Sequence, residues 1–148
     1  MDEFVHLFEN RVLGTALLAW LIAQMTKVII TSVVKGKIDL SRMIGSGGMP
    51  SSHAAFVVSL ASGVGFRVGF DSALFALAAV FAMVVMYDAA GVRRETGIQA
   101  RLLNRIVMDL IEQGRFPQHK ELKELLGHTP VEVLAGALVG AFVAAWRI

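Results

Sequence analysis

Two short segments, Pro50-Ser51-Ser52-His53 and Gly127-His128-Thr129-Pro130, each set an imidazole at the start of an apolar run, and Glu132 follows the second. A histidine can attack phosphorus or protonate a leaving oxygen, so two of them at one place suit phosphoryl transfer. Glu132 lies four residues after His128. On a helix beginning near Thr129 it faces back toward the imidazole and holds its tautomer. The glycine-rich turn before His53 exposes backbone N–H groups at the positive end of a helix dipole, and the Ser51 and Ser52 hydroxyls add donors for a phosphate. Arg93 and Arg94 offer guanidinium forks for the same anion, and Asp88 stands where it can pair with them.

Taken alone, Gly47 to His53 is an ordinary helix start, with Ser51 or Ser52 as N-cap and His53 at an interface. Convergence with a second histidine and an arginine pair favours the chemical reading. His53, Asp88, His128 and Glu132 lack the tight spacing of a metal motif such as His-Glu-x-x-His, so no metal and no other cofactor is expected. Cysteine is absent, which removes thiol chemistry and disulfides.

These groups need elements that bring them to one depth. Of the 148 residues, 55% are hydrophobic, and the mean hydropathy of +0.64 points to a membrane protein of one domain, residues 1–148. Asp2, Glu3 and Glu9 stand where a signal peptide would be basic, so none is expected. Four apolar runs read as spanning helices: Val12 to Val34, Ala54 to Phe70, Ser72 to Tyr87 and Val131 to Ile148. The middle two make a hairpin around Gly69-Phe70-Asp71. Between the third and fourth lies a polar connection, Gly91 to Pro130, with Ile98, Leu102, Ile106 and Leu110 on one face of an amphipathic helix. A second amphipathic piece, His119 to Leu126, follows Pro117. The predicted fold is an all-α membrane bundle of about four spans with amphipathic helices over its mouth.

Alternating spans place Lys35, Lys37, Arg42, Arg93, Arg94, Arg101, Arg105, Arg115, Lys120 and Lys123 on one side, ten cations; Arg11, Arg67 and Arg147 fall on the other, and Lys27 lies within a span. The positive-inside bias puts the ten in the cytoplasm, both termini outside, and the candidate site on the cytoplasmic face. Gly136 and Gly140 form a small-xxx-small pair that packs helices closely, within the chain or in a homodimer.

Pro50-Ser51-Ser52-His53 resembles the Pro-Ser-Gly-His signature of the type 2 phosphatidic acid phosphatase and vanadium-dependent haloperoxidase superfamily, and His128 with Glu132 resembles its later histidine and carboxylate. The strings GGMPSSHAAF, YDAAGVRRETGIQA and LGHTPVEVLAGALVG resemble its small divergent bacterial branch, from Gln24 onward. The resemblance implies a metal-independent lipid phosphate or diphosphate phosphohydrolase of the bacterial inner membrane. His128 would be the phosphorylated nucleophile, His53 the acid and Glu132 the orienting carboxylate.

The departures are specific. Serine replaces glycine at Ser52, and Glu121-Leu122 stands where the superfamily has serine-arginine, so the phosphate-binding cation must come from elsewhere. Arg93 or Arg94 is the expected substitute. Lys35 and Arg42 half meet the superfamily's first motif, and Lys27, three residues after Gln24, competes with them because a cation inside a span needs an anionic partner. Pro50, Gln24, Asp88, Gln99 and Asn104 are expected to support the site, the last two because they fall in a matching string. The expected partners are the lipid phosphate and the membrane, with no nucleic acid. The alternative is a catalytically lapsed membrane module that binds anionic headgroups or a protein partner.

Overall fold

A computed structural model describes residues 9–37, 48–115 and 127–148. Those residues form helices and short connections with no strand. In chain order the helices are α1 (Arg11–Lys35), α2 (Ser52–Val68), α3 (Ala73–Ala90), α4 (Val92–Glu112) and α5 (Pro130–Arg147). α1, α3 and α5 are long and apolar enough to cross a membrane, while α2, at 17 residues, is shorter. At ~1.5 Å per residue α2 still rises about 25 Å. It lies at the centre of the bundle, packed on α1, α3 and α5, so protein rather than lipid surrounds most of it.

Small side chains make that packing close. Ala16, Ala19 and Ala23 on α1, and Ala54, Ala55 and Ala61 on α2, are all buried. On α5 the pattern is inside out: Leu134, Leu138, Phe142 and Trp146, spaced four apart, are 62–72% exposed, whereas Gly136 and Gly140 are buried. Large apolar residues outside and glycines inside suit a helix whose solvent is hydrocarbon. A Cβ placed on Gly136 would collide with the Ser51 carbonyl oxygen, and one on Gly140 with the Ala55 carbonyl oxygen and, at 2.9 Å, the Ser59 nitrogen. The pair is therefore used inside the chain, to bring α5 against the backbone of α2. Of the two expected uses, the structure shows packing within the chain, with α2 lying against Gly136 and Gly140.

α2 and α5 run parallel. Ser51 donates its backbone N–H to the Glu132 carbonyl at their N-terminal ends (2.9 Å), and at the other end a Cβ on Gly63 would meet Ile148 and Val12. The hairpin between α2 and α3 forms as expected. Gly69 has φ +105, Ser72 caps α3 by accepting from Phe75 N–H at 3.1 Å, and its hydroxyl donates to the Gly69 carbonyl.

The polar connection departs from expectation in placement. α4 is one amphipathic helix, but among the described helices it touches only α3 and does not lie over the bundle mouth. Gly91 alone separates Ala90 from Val92, and one residue is too short a connection to fold a helix back across the bundle. The second amphipathic piece, His119 to Leu126, falls outside the described residues.

Candidate functional site

The ends of α1, α2, α3 and α5 that meet at the basic side of the molecule enclose a group of buried polar residues. Two backbone hydrogen bonds stitch the ends together: Ser51 N–H to the Glu132 carbonyl, and His128 N–H to the Ala89 carbonyl (3.1 Å). The first ties the start of α2 to the start of α5, and the second hangs His128 from the end of α3. Thr129 begins α5 with a capping box. Its hydroxyl accepts from Glu132 N–H (3.3 Å), and Glu132 Oε2 accepts from Thr129 N–H (3.0 Å).

The same Glu132 Oε2 lies 3.2 Å from His128 Nδ1. An ionised carboxylate only accepts, so Nδ1 carries the proton, and the lone pair of the neutral imidazole is on Nε2. Nε2 is buried, in a residue only 2% exposed, and makes no hydrogen bond among the described residues. A buried polar nitrogen without a partner is uncommon and calls for a reason. Burial pushes the His128 pKa below the ordinary histidine value. The hydrogen bond and charge of Glu132 oppose that shift, the Lys27 charge adds to it, and the Gly48 carbonyl nearby opposes it weakly without bonding Nε2.

Lys27 is 1% exposed, and its ammonium donates to Gln24 Oε1 at 2.9 Å. Its aliphatic stem packs under the turn before α2: Gly48 has φ +88, and a Cβ there would stand 3.4 Å from Lys27 Cγ. An ammonium buried among helix ends favours an anion beside it. The parallel starts of α2 and α5 add two positive dipole ends at the same depth. His53, one residue into α2, is exposed, and its ring centroid is 6.2 Å from that of His128 with the planes at 64°. Ser51, fully buried, is the N-cap of α2: its Oγ accepts from Ala54 N–H at 3.4 Å, which leaves its own O–H to donate elsewhere. Pro50 and Ser52 are buried beside it.

The structure thus gathers His53, His128, Glu132, Ser51, Ser52, Pro50, Lys27 and Gln24. It does not gather the others in the same way. Lys35 is exposed, eight residues or about 12 Å along α1 from Lys27. Arg94 is half exposed, and among the described residues its ion pair is with Glu95 at 3.9 Å. Gln99 is exposed and Asn104 partly buried on α4, away from the stitched ends. Asp88 is partly buried next to Ala89, the anchor of His128. Arg42 and the Arg93 side chain fall outside the described residues. Among the described residues no three His, Asp or Glu gather to hold a metal ion.

Three contributors went unread in the sequence. Gly48 seats Lys27, Ala89 holds His128 through its carbonyl, and Thr129 caps α5. Only Thr129 carried a signal, the Thr-x-x-Glu capping pattern. Two apolar grooves, of about 520 Å³ between α1 and α5 and about 370 Å³ between α2 and α3, lie on the flanks of the bundle and do not include His128.

A helical membrane bundle with a histidine pair, a carboxylate and a buried cation at one rim is the class this architecture defines. The chain belongs to the Divergent PAP2 family, which it matches over residues 8–143, and is therefore a phosphatase-related membrane protein. It is 44% identical to the "Uncharacterized membrane protein YuiD" of Bacillus subtilis (strain 168) over 146 residues, covering 92% of each chain. No solved structure matches it.

Proposed function

We propose that the protein hydrolyses a lipid phosphate through a phosphohistidine at His128. The observation that carries this reading is the buried Nε2 of His128, unpartnered among the described residues, with its other nitrogen held by Glu132 and the Lys27 ammonium close by. The Nε2 lone pair attacks phosphorus as the bond from phosphorus to the leaving oxygen breaks. Protonated His53 gives its proton to that oxygen, and the alcohol departs. Water then attacks the phosphoramidate, His53 takes a water proton, the phosphorus–nitrogen bond breaks, and phosphate leaves. Lys27, the Ser51 and Ser52 hydroxyls and the two helix starts stabilise the oxyanion, with Lys27 in the part expected of Arg93 or Arg94. Nε2 is screened from solvent, so the rim must open for a phosphate to reach it.

A lipid substrate follows from depth: the polar rim is flanked by apolar helices, and the groove between α1 and α5 suits a hydrocarbon tail. With the basic side in the cytoplasm of a bacterial inner membrane, the substrate comes from the inner leaflet, such as phosphatidate or phosphatidylglycerol phosphate. Purified protein in detergent should release phosphate from such a lipid with a chelator present, and vanadate should inhibit. His128→Ala should lower turnover on the order of 10³-fold while extracting and melting normally. Unchanged turnover in that variant would remove the phosphohistidine. Headgroup binding without turnover on any lipid phosphate would leave a binding module.

A further inference from the structure

α4 presents large apolar side chains that no described helix of the bundle covers. Leu102, Leu103 and Ile106 are 59%, 49% and 47% exposed, and Val92 and Ile98 are exposed as well. At 100° per residue the first three span roughly 100° of the helix surface, while Arg94, Arg101 and Arg105 fall within roughly 40° of one another, about a third of a turn away. The remaining side, with Gly97, Asn104 and Val107, is the less exposed one. From Val92 to Met108 the helix carries four arginines against one acidic residue, Glu95. α3, a helix able to cross the membrane, ends one residue before α4 begins, so the first turn of α4 starts where the chain leaves the hydrocarbon.

We propose that α4 is an interfacial helix: its Leu102, Leu103 and Ile106 row lies in the acyl region of the bilayer and its Arg94, Arg101 and Arg105 row lies on anionic lipid headgroups. Apolar and basic rows of this kind, displaced around one helix, match a surface that is hydrocarbon below and negatively charged above. Left in water, the apolar row would be an uncovered patch on a helix that, among the described helices, touches only α3. The arginines can reach the headgroups by snorkelling while their stems cover the flank of the apolar row. The break between α3 and α4 falls at Gly91, whose φ −104 and ψ −84 leave the helical region. This inference does not depend on catalysis.

The natural absence of cysteine makes the test direct. Spin labels on Leu102→Cys, Ile106→Cys and, on the arginine row, Glu112→Cys are placed in nanodiscs of phosphatidylcholine with or without phosphatidylglycerol. The labels at 102 and 106 should favour collisions with oxygen over an aqueous nickel chelate, on the order of threefold more than the label at 112. Phosphatidylglycerol should deepen them, and Arg94→Gln with Arg105→Gln should abolish that deepening. Equal nickel accessibility at 102 and 112 in both bilayers would overturn the proposal. So would dipolar broadening at 102 that disappears on dilution with unlabelled protein, since a second copy would then cover the row.

Discussion

The two ends of the bundle use the same kind of close approach for different purposes. At the far end, Gly63 and Gly65 receive the tips of side chains: Ile148 Cδ1, Val12 Cγ1 and the Phe70 ring, with Phe66, Phe70 and Phe75 in edge contacts at 5.4 and 5.0 Å. At the near end, Gly136 and Gly140 receive backbone atoms of Ser51, Ala55 and Ser59. Side chains can turn aside, but a helix backbone cannot. The near end is therefore rigid where it carries buried polar groups, and the far end is an adaptable apolar seal. Burying Lys27, Gln24 and His128 opposes folding, and the tight seam between α2 and α5 holds them in register against that cost.

Breaking the seam should have the largest effect. Gly140→Val is expected to destabilise the protein by about 3 kcal/mol or more, seen as loss of the melting transition in detergent, whereas Gly63→Ala at the far end should cost under about 1 kcal/mol. Equal effects at both sites would mean that the contrast between backbone and side-chain contact is unimportant. Next comes the cation. Lys27→Met should weaken vanadate binding by about 10- to 100-fold, and Arg94→Gln by less than about twofold. The reverse order, read by titration calorimetry, would return the anion to the arginine pair.

A smaller effect concerns pH. His128 has its folded-state pKa below 6.5, chiefly through burial, so the folded state binds fewer protons than the unfolded chain between the two values. The associated stability is complete above 6.5 and is lost as pH falls toward the folded pKa. The neutral imidazole proposed as the nucleophile persists over the same range, so its titration should depress phosphoenzyme formation only below pH 6.5. Lys27→Met removes one cause of the lowering and should move that decline to higher pH. The smallest expected effect is Ser51→Ala, about 1 kcal/mol for a lost N-cap, with Ser72→Ala at the far hairpin similar. A much larger loss at Ser51 would assign its hydroxyl more than capping.

Much of this contrast was legible in the sequence. Apolar run lengths gave the membrane helices and the Gly69 hairpin, and the four-residue spacing of His128 and Glu132 gave their contact across the Thr129 cap, because both are local along the chain. The partner of the glycine pair was not legible, since spacing marks a close approach without saying to what. The choice between Lys27 and the arginines turned on contacts between helices far apart in sequence. Arg94 shares a string with the third span, yet it is half exposed on α4, which among the described helices touches only α3, while Lys27 enters the cluster from the first helix. Ala89 and Gly48 act through backbone, and no side-chain type advertises that.

The proposed hydrolysis turns on phosphorylation of His128 Nε2. Rapid acid-free quenching of the purified protein during turnover of phosphatidate, followed by mass spectrometry of its peptides, addresses it directly. A base-stable, acid-labile phosphoryl group is expected on His128 of the wild-type protein and none in His128→Ala. Phosphate release at full rate with no modified His128 peptide, or with the label on another residue, would contradict it.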